Sequence, residues 1–232
     1  MKEELRHLAI IPDGNRRWAK DKNLLSWQGH REGSKRIEDI IKAMEFYSKI
    51  DYLTFWIASK DNLTKRSKTE VDFLYKLFIK AFRKLIKSKI INDHEIRIRV
   101  LGEWKTLVPK KLAETIEELE EKTKHYYKRN LTFLLGYSGT EAMVRAINVL
   151  LSQKKKVIDN KDIKNSLITS DLPKVDLLIR TGGEPHNSSG FMMWHTANSQ
   201  FYFTETLFPD FNEKELKKAI EEYCDRERRL GA

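Results

Sequence analysis

Short apolar runs alternate with longer amphipathic stretches along the chain, the pattern of an α/β protein with a mostly parallel sheet. His7 to Ile11 reads as the first strand and runs into the turn cluster Pro12-Asp13-Gly14-Asn15. A helix is predicted from about Gly29 to Tyr47, with Ile37, Ile40, Ile41, Met44 and Tyr47 on one face. Tyr52 to Ala58 reads as the second strand, Ser59 to Lys68 as a polar loop, and Glu70 to Ile90 as a long helix. Val71, Leu74, Leu77, Phe78, Phe82, Leu85 and Ile86 give that helix a wide apolar stripe. Ile96 to Leu101 alternates as a half-buried strand does, and Leu131 to Leu135 reads as a buried one. A helix from near Pro109 to Tyr127 separates them. Next come a helix from Thr140 to Leu151, a strand from Val175 to Ile179, and the aromatic runs Phe191–Trp194 and Phe201–Phe203, read as strands or strand edges. A charged helix from Asn212 to Arg228 closes the pattern. No repeat, low-complexity tract or linker interrupts it. The expectation is one domain over residues 1–232, with a central sheet of about six strands flanked by helices.

In such sheets ligands sit outside the carboxyl ends of the strands, so the loops beginning at Pro12, Ser59, Gly136 and Arg180 are the functional candidates. Asp13-Gly14-Asn15-Arg16-Arg17-Trp18 combines a carboxylate for a divalent cation, a glycine that lets backbone amides approach a ligand, and two guanidinium groups for phosphate oxygens. The Arg180 loop adds Thr181, two glycines, Glu184, His186, Asn187, Ser188 and Ser189, a second anion cradle. Neither G-x-x-x-x-G-K-[ST] nor G-x-G-x-x-G occurs, which excludes the known nucleotide fingerprints. Two cradles at one rim point to two phosphorylated substrates or one large one.

Composition adds an excess of positive charge: 44 Lys+Arg against 34 Asp+Glu gives +10, so an anionic partner is expected, whether nucleic acid, an acidic membrane surface or phosphorylated small molecules. A nucleic-acid binder needs a basic groove with exposed aromatics or a known motif, and the chain shows neither. Cys224 is the single cysteine, which excludes an intrachain disulfide and a thiolate metal cage and fits a reducing cytoplasm. No apolar run approaches the roughly 18–20 residues a membrane span needs.

The stretch His7-Leu8-Ala9-Ile10-Ile11-Pro12-Asp13-Gly14-Asn15-Arg16-Arg17-Trp18-Ala19-Lys20 closely resembles the amino-terminal signature of the cis-prenyltransferases, the undecaprenyl diphosphate synthase family. A second signature is similar too: Val175 to Glu184, then Phe191-Met192-Met193-Trp194, then Phe201-Tyr202-Phe203-Thr204 through Phe208-Pro209-Asp210-Phe211. The resemblance spans the whole chain. It implies a prenyltransferase that condenses isopentenyl diphosphate repeatedly onto geranyl, farnesyl or geranylgeranyl diphosphate. The product would be a long-chain polyprenyl diphosphate such as undecaprenyl diphosphate, precursor of a glycosyl carrier lipid. It also implies a hydrophobic tunnel between sheet and helices, Mg²⁺ as cofactor and a homodimer. By the same resemblance Asp13 and Gln200 are the metal positions. Gly14, Asn15, Arg16, Arg17, Trp18, His30, Ser59 and Arg66 bind the allylic diphosphate, and Arg180, His186, Ser188 and Ser189 the second one. Asn62 assists proton removal, and Arg229-Leu230-Gly231 matches a carboxy-terminal motif that reaches the active site across a dimer interface.

The sequence departs from the family pattern at four places. Ser26 stands where many bacterial relatives carry a phosphate-binding Arg, and Pro185-His186-Asn187 replace a second one. Gln200 replaces the Glu expected beside Asp13, which predicts weaker Mg²⁺ binding because a neutral amide gives up a full charge on a hard cation. Leu63 replaces an aromatic, with one residue inserted before Arg66. Arg16, Lys60 and Lys65 are expected to compensate for the missing cations. Ile57 occupies a position where relatives often carry a smaller residue, which predicts a shorter product. Ser26 and Gln200 also motivate an alternative, a weakly active or regulatory subunit of a heteromeric prenyltransferase. Asp13, Asn15, Arg17, Asn62 and the Arg229-Leu230-Gly231 end argue against that reading. The exposed basic set Lys80, Arg83, Lys84, Lys87 and Lys89 leaves open a transient contact with an anionic membrane surface by a cytoplasmic protein.

Overall fold

The computed structural model describes residues 4–226. In chain order its elements are β1 (His7–Ile11), α1 (Asn15–Asp21), α2 (Ser26–Ala43), β2 (Tyr52–Ser59), α3 (Lys60–Thr64), α4 (Lys68–Ile86), α5 (Lys89–Asp93) and β3 (Ile96–Leu101). There follow α6 (Trp104–Leu107), α7 (Lys110–Thr123), β4 (Arg129–Tyr137), α8 (Gly139–Ser152), α9 (Asn160–Ser166), β5 (Leu177–Arg180), β6 (Gln200–Phe203) and α10 (Glu213–Asp225). The six strands form one sheet in the order β3-β4-β2-β1-β5-β6, and every pair is parallel.

The order turns at β1, which has β2 on one side and β5 on the other. A crevice at such a switch point is the natural ligand site of an open α/β sheet. Helices α2, α4, α7 and α10 bury their apolar faces on one side, in a core that includes Ile40, Leu74, Phe82, Ile116 and Leu216. The other side, against Ala9, Trp56, Leu134 and Leu178, is covered by Leu172, Phe191 and Met192.

Three expectations change. The Ser59–Lys68 segment is not all loop: Ser59 Oγ accepts from Asn62 N–H at 3.0 Å and Asn62 Oδ1 accepts from Ser59 N–H at 3.3 Å, a reciprocal cap that starts α3. The long helix ends at Ile86, and a new one starts after Ser88. Phe191–Trp194 is a turn, not a strand. Phe191 packs on Trp56 and Tyr137, with ring centroids 5.3 and 6.3 Å away, so burial under the sheet, not strand pairing, accounts for its apolar character.

Candidate active site

The loops after β1, β2 and β5 meet in one cavity of about 620 Å³. Its mouth is charged. Asp13, Arg16, Arg17, His30, Arg66, Arg180 and Glu184 line it together with Ser188 and Ser189, while Gly14, Asn15, Ser59 and Asn62 complete the polar rim. Its floor is apolar: Ile57 and Phe133 from the sheet face Leu74, Leu77, Phe78, Phe82 and Leu85 of α4. These are most of the stripe read from the sequence, so the hydrophobic space between sheet and helices is present. Among the polar loops, the one beginning at Gly136 contributes nothing to this lining.

Asp13 and Arg180 organise the mouth. Arg180 ends β5 in register with Ile11 of β1, which brings its Nη2 to 2.9 Å from Asp13 Oδ2, and its Nη1 donates to the His186 carbonyl at 2.7 Å. The Arg180 side chain is only 6% exposed, and its Nε has no hydrogen-bond partner. A buried guanidinium with a spare donor is prepared for a further acceptor. Arg17 lies 3.6 Å from Asp13 and 3.9 Å from Glu184. Its Nη2 rests so close over Gly182, whose φ is +87°, that an added Cβ would come within 2.7 Å of it.

The third cation, Arg66, is coupled to His30 through a carboxylate that the sequence reading passed over. Glu70 Oε1 accepts from Arg66 Nη1 at 3.0 Å and lies 3.1 Å from His30 Nε2. The Arg66-x-x-x-Glu70 spacing, one helical turn, was the available signal. Burial pushes His30 below its ordinary value against the opposing pull of Glu70, with Arg66 adding to the downward shift. Burial likewise lowers Arg66, helped by nearby Arg16 and opposed by Glu70.

The helix that carries His30 approaches the first loop unusually closely. An added Cβ at Gly29 would lie 1.9 Å from the Asn15 carbonyl oxygen, and one at Gly33 would lie 2.2 Å from Asn15 Oδ1. Two glycines four residues apart thus let α2 pass directly beneath the start of α1.

Several expected site residues stand elsewhere. Trp18 does not line the cavity; its Nε1 donates to Asp210 Oδ1 at 2.8 Å and Lys22 lies 5.0 Å from its ring centre, so it ties α1 to the Phe208–Asp210 turn. The His186 ring is 57% exposed and outside the lining, and only its backbone carbonyl serves the site by holding Arg180. Lys60 pairs with Glu141 at 3.0 Å and Lys65 with Asp61 at 2.8 Å, and neither lines the cavity. Gln200 opens β6 level with Leu177 and, across β5, with Leu8. Strand rise from that level to Ile11 is already about 10 Å, and two strand spacings add about 10 Å laterally, so within one chain Gln200 cannot share an ion with Asp13. Arg229 and Gly231 lie outside the described residues.

The donor set fits Mg²⁺ of one particular kind. No group of three or more His, Cys, Asp or Glu is placed to hold a metal among the described residues, which excludes an all-protein cage there. A single carboxylate beside phosphate-binding cations is how Mg²⁺ is commonly held together with substrate oxygens and water, and Asp13, 36% exposed at the mouth, meets that description.

Comparison with known proteins agrees with this geometry. The sequence profile of the prenyltransferase family described as undecaprenyl diphosphate synthase matches residues 11–231. An isoprenyl transferase of Fusobacterium nucleatum is 42% identical over 228 residues, covering 97% of this chain and 95% of that protein. The tritrans,polycis-undecaprenyl-diphosphate synthase (geranylgeranyl-diphosphate specific) of Pyrococcus horikoshii is 37% identical, covering 97% and 86%. The crystal structure of lavandulyl diphosphate synthase from Lavandula x intermedia in complex with dimethylallyl diphosphate superposes with a TM-score of 0.89 at 31% identity, covering 98% of each chain. Signatures, fold and relatives agree, and the chain belongs to the undecaprenyl diphosphate synthase family of prenyltransferases.

Proposed function

We propose that this protein elongates an allylic diphosphate of geranyl, farnesyl or geranylgeranyl length by successive cis condensations with isopentenyl diphosphate, releasing a polyprenyl diphosphate. The observation that carries the reading is the continuity of one cavity from a cationic mouth to an apolar floor. A diphosphate head and a hydrocarbon tail fit these two parts in that order. In each cycle the primer's C1–O bond breaks, diphosphate leaves, C1 bonds to the terminal carbon of isopentenyl diphosphate, and a proton departs to a diphosphate oxygen.

Arg16, Arg17 and Arg66 bind the departing diphosphate, whose developing charge is where fixed cations act most strongly. Arg180, Ser188 and Ser189 hold the second diphosphate and so align the two carbons. Asn62 spends its carbonyl oxygen on Ser59 N–H, which leaves its amide NH₂ to orient a substrate oxygen: a positioning role, not that of a base. Asp13 would hold Mg²⁺, which supplies neutralisation of the leaving diphosphate when bound.

A homodimer is supported by Val144, Ile147 and Leu151, which lie exposed along one face of α8. A cytoplasmic setting is supported by the single free cysteine, Cys224. No helix among the described residues is long and apolar enough to cross a membrane.

The test is incubation of purified protein with labelled isopentenyl diphosphate and each primer in turn, with and without Mg²⁺, and separation of products by length. Elongation that requires the metal is expected. Absence of incorporation with every primer rejects the reading.

A further inference from the structure

We infer that the elbow between α1 and α2 is a docking site for an anionic lipid bilayer. In Lys20-Asp21-Lys22-Asn23-Leu24-Leu25-Ser26-Trp27 every residue is exposed, Leu25 to 63%. Two leucines and a tryptophan thus stand in water at this tip. Trp27 touches Phe73 of α4 with ring centroids 5.4 Å apart, and the Arg31 guanidinium lies 5.5 Å from its ring centre.

The charge around this apolar tip selects the occupant. Lys20, Lys22, Arg31 and Lys35 surround it against two acidic residues, Asp21 and Glu32, the latter shared by Lys35 at 2.9 Å and Arg31 at 3.4 Å. Shallow apolar insertion inside a basic rim is how a protein rests on an anionic membrane surface, with tryptophan at headgroup depth. Location agrees with charge. The groove formed by Lys20, Leu24 and Leu25 shares Arg16 and Arg17 with the mouth of the main cavity, and the Trp27–Phe73 contact ties the elbow to the helix that walls the apolar floor. A bilayer seated on the elbow lies beside the mouth of that cavity.

Two other surfaces fit less well. The apolar face of α8 is bordered by Glu103 and Glu141, which are paired with Arg145 and Lys60, so it lacks a basic rim for an anionic surface. The basic set on α4 and α5 has no comparably exposed apolar side chain, and its Lys84 is paired with Glu38.

The purpose of the contact, delivery of a lipid product, rests on the proposed function, but the contact does not. The test is sedimentation of the full chain with vesicles of phosphatidylcholine alone or with 30 mol% phosphatidylglycerol (~30%, enough to set a negative surface potential). The wild-type protein should bind the anionic vesicles about ten-fold more tightly, an advantage that salt weakens. Leu24→Ser/Leu25→Ser should lose about ten-fold of that binding, keep its far-UV circular dichroism, and incorporate isopentenyl diphosphate normally in vesicle-free detergent solution. Ile147→Ser on α8 should bind like wild type. Failure of the wild type to prefer anionic vesicles, or equal binding by the double variant, overturns the inference. Vesicle binding without incorporation under any condition would instead reject the enzymatic reading and leave the docking site standing.

Discussion

The two ends of the parallel sheet treat polar groups in opposite ways. At the amino end, His7 is fully buried between Thr54 Oγ1 at 2.9 Å and the Pro173 carbonyl at 3.1 Å, while Asp176 Oδ2 accepts from Arg6 N–H and His7 N–H, both at 2.9 Å. Partners there are matched and fixed, and they pin β1 to β2 and β5. At the carboxyl end, Arg16, Arg17, Arg66 and Arg180 converge on one cavity, with Asp13 shared between Arg180 and Arg17 and Glu70 shared between Arg66 and His30. Acceptors there are shared between cations, and the Arg180 Nε is left without a hydrogen-bond partner. The lesson is that buried polarity is structural where each partner is matched and functional where acceptors are shared and a donor is left over.

Substitutions can break this contrast, and the largest effect is expected at Asp13. Asp13→Asn should lower kcat/KM by on the order of 10³-fold or more, equivalent to about 4 kcal/mol, with little change in the urea midpoint because an amide oxygen still meets Arg180. Asp13→Ala should lose stability as well, since it strands a buried guanidinium. Activity in Asp13→Asn close to wild type would contradict the assignment.

At the amino end the pattern should reverse. His7→Ala is expected to lose about 2–4 kcal/mol of stability while activity per folded molecule is retained. Burial depresses His7 to about 4 from an ordinary 6.5. The folded state therefore stays deprotonated while the unfolded chain takes up a proton. Its stabilising contribution is complete above pH 6.5 and is lost as pH falls from there towards about 4. Urea midpoints measured across that window should decline in the wild type and decline less in His7→Ala.

Gln200→Glu should be smaller still. The Gln200 Oε1 is already buried without a partner, so a carboxylate there is expected to lose about 1–3 kcal/mol, and the Mg²⁺ requirement should not move. A lowered requirement would bring Gln200 to the ion of a second chain across the proposed dimer, since within one chain it stands apart from Asp13. Lys60→Ala, which removes an exposed ion pair with Glu141, should cost at most about 1 kcal/mol and leave KM for both diphosphates unchanged.

Much of this was legible in the chain itself. All six strands follow from apolar runs ended by turn residues, and the Pro12, Ser59 and Arg180 loops were placed at the rim because parallel sheets leave their carboxyl ends open. What escaped notice depended on pairings that periodicity does not carry. The Trp18 partner, Asp210, is 192 residues away. Gln200 resembled a metal position by local motif, yet strand register decides where it stands. Phe191 reads as strand because apolar character alone does not distinguish a residue paired in a sheet from one packed beneath it. The α3 cap was visible as Ser59-x-x-Asn62, a signal outweighed by the polar composition around it.

The close approach of α2 to Asn15 has one further consequence. Because the Asn15 carbonyl and side-chain oxygens occupy the space where side chains would begin at Gly29 and Gly33, the height of the whole cation-bearing turn above the sheet is fixed by what those two residues lack. A saturation scan should find these positions among the least forgiving of the chain, although neither offers a functional group to any substrate. Recognition at this mouth is thus moulded from behind, and the mould is a pair of hydrogen atoms.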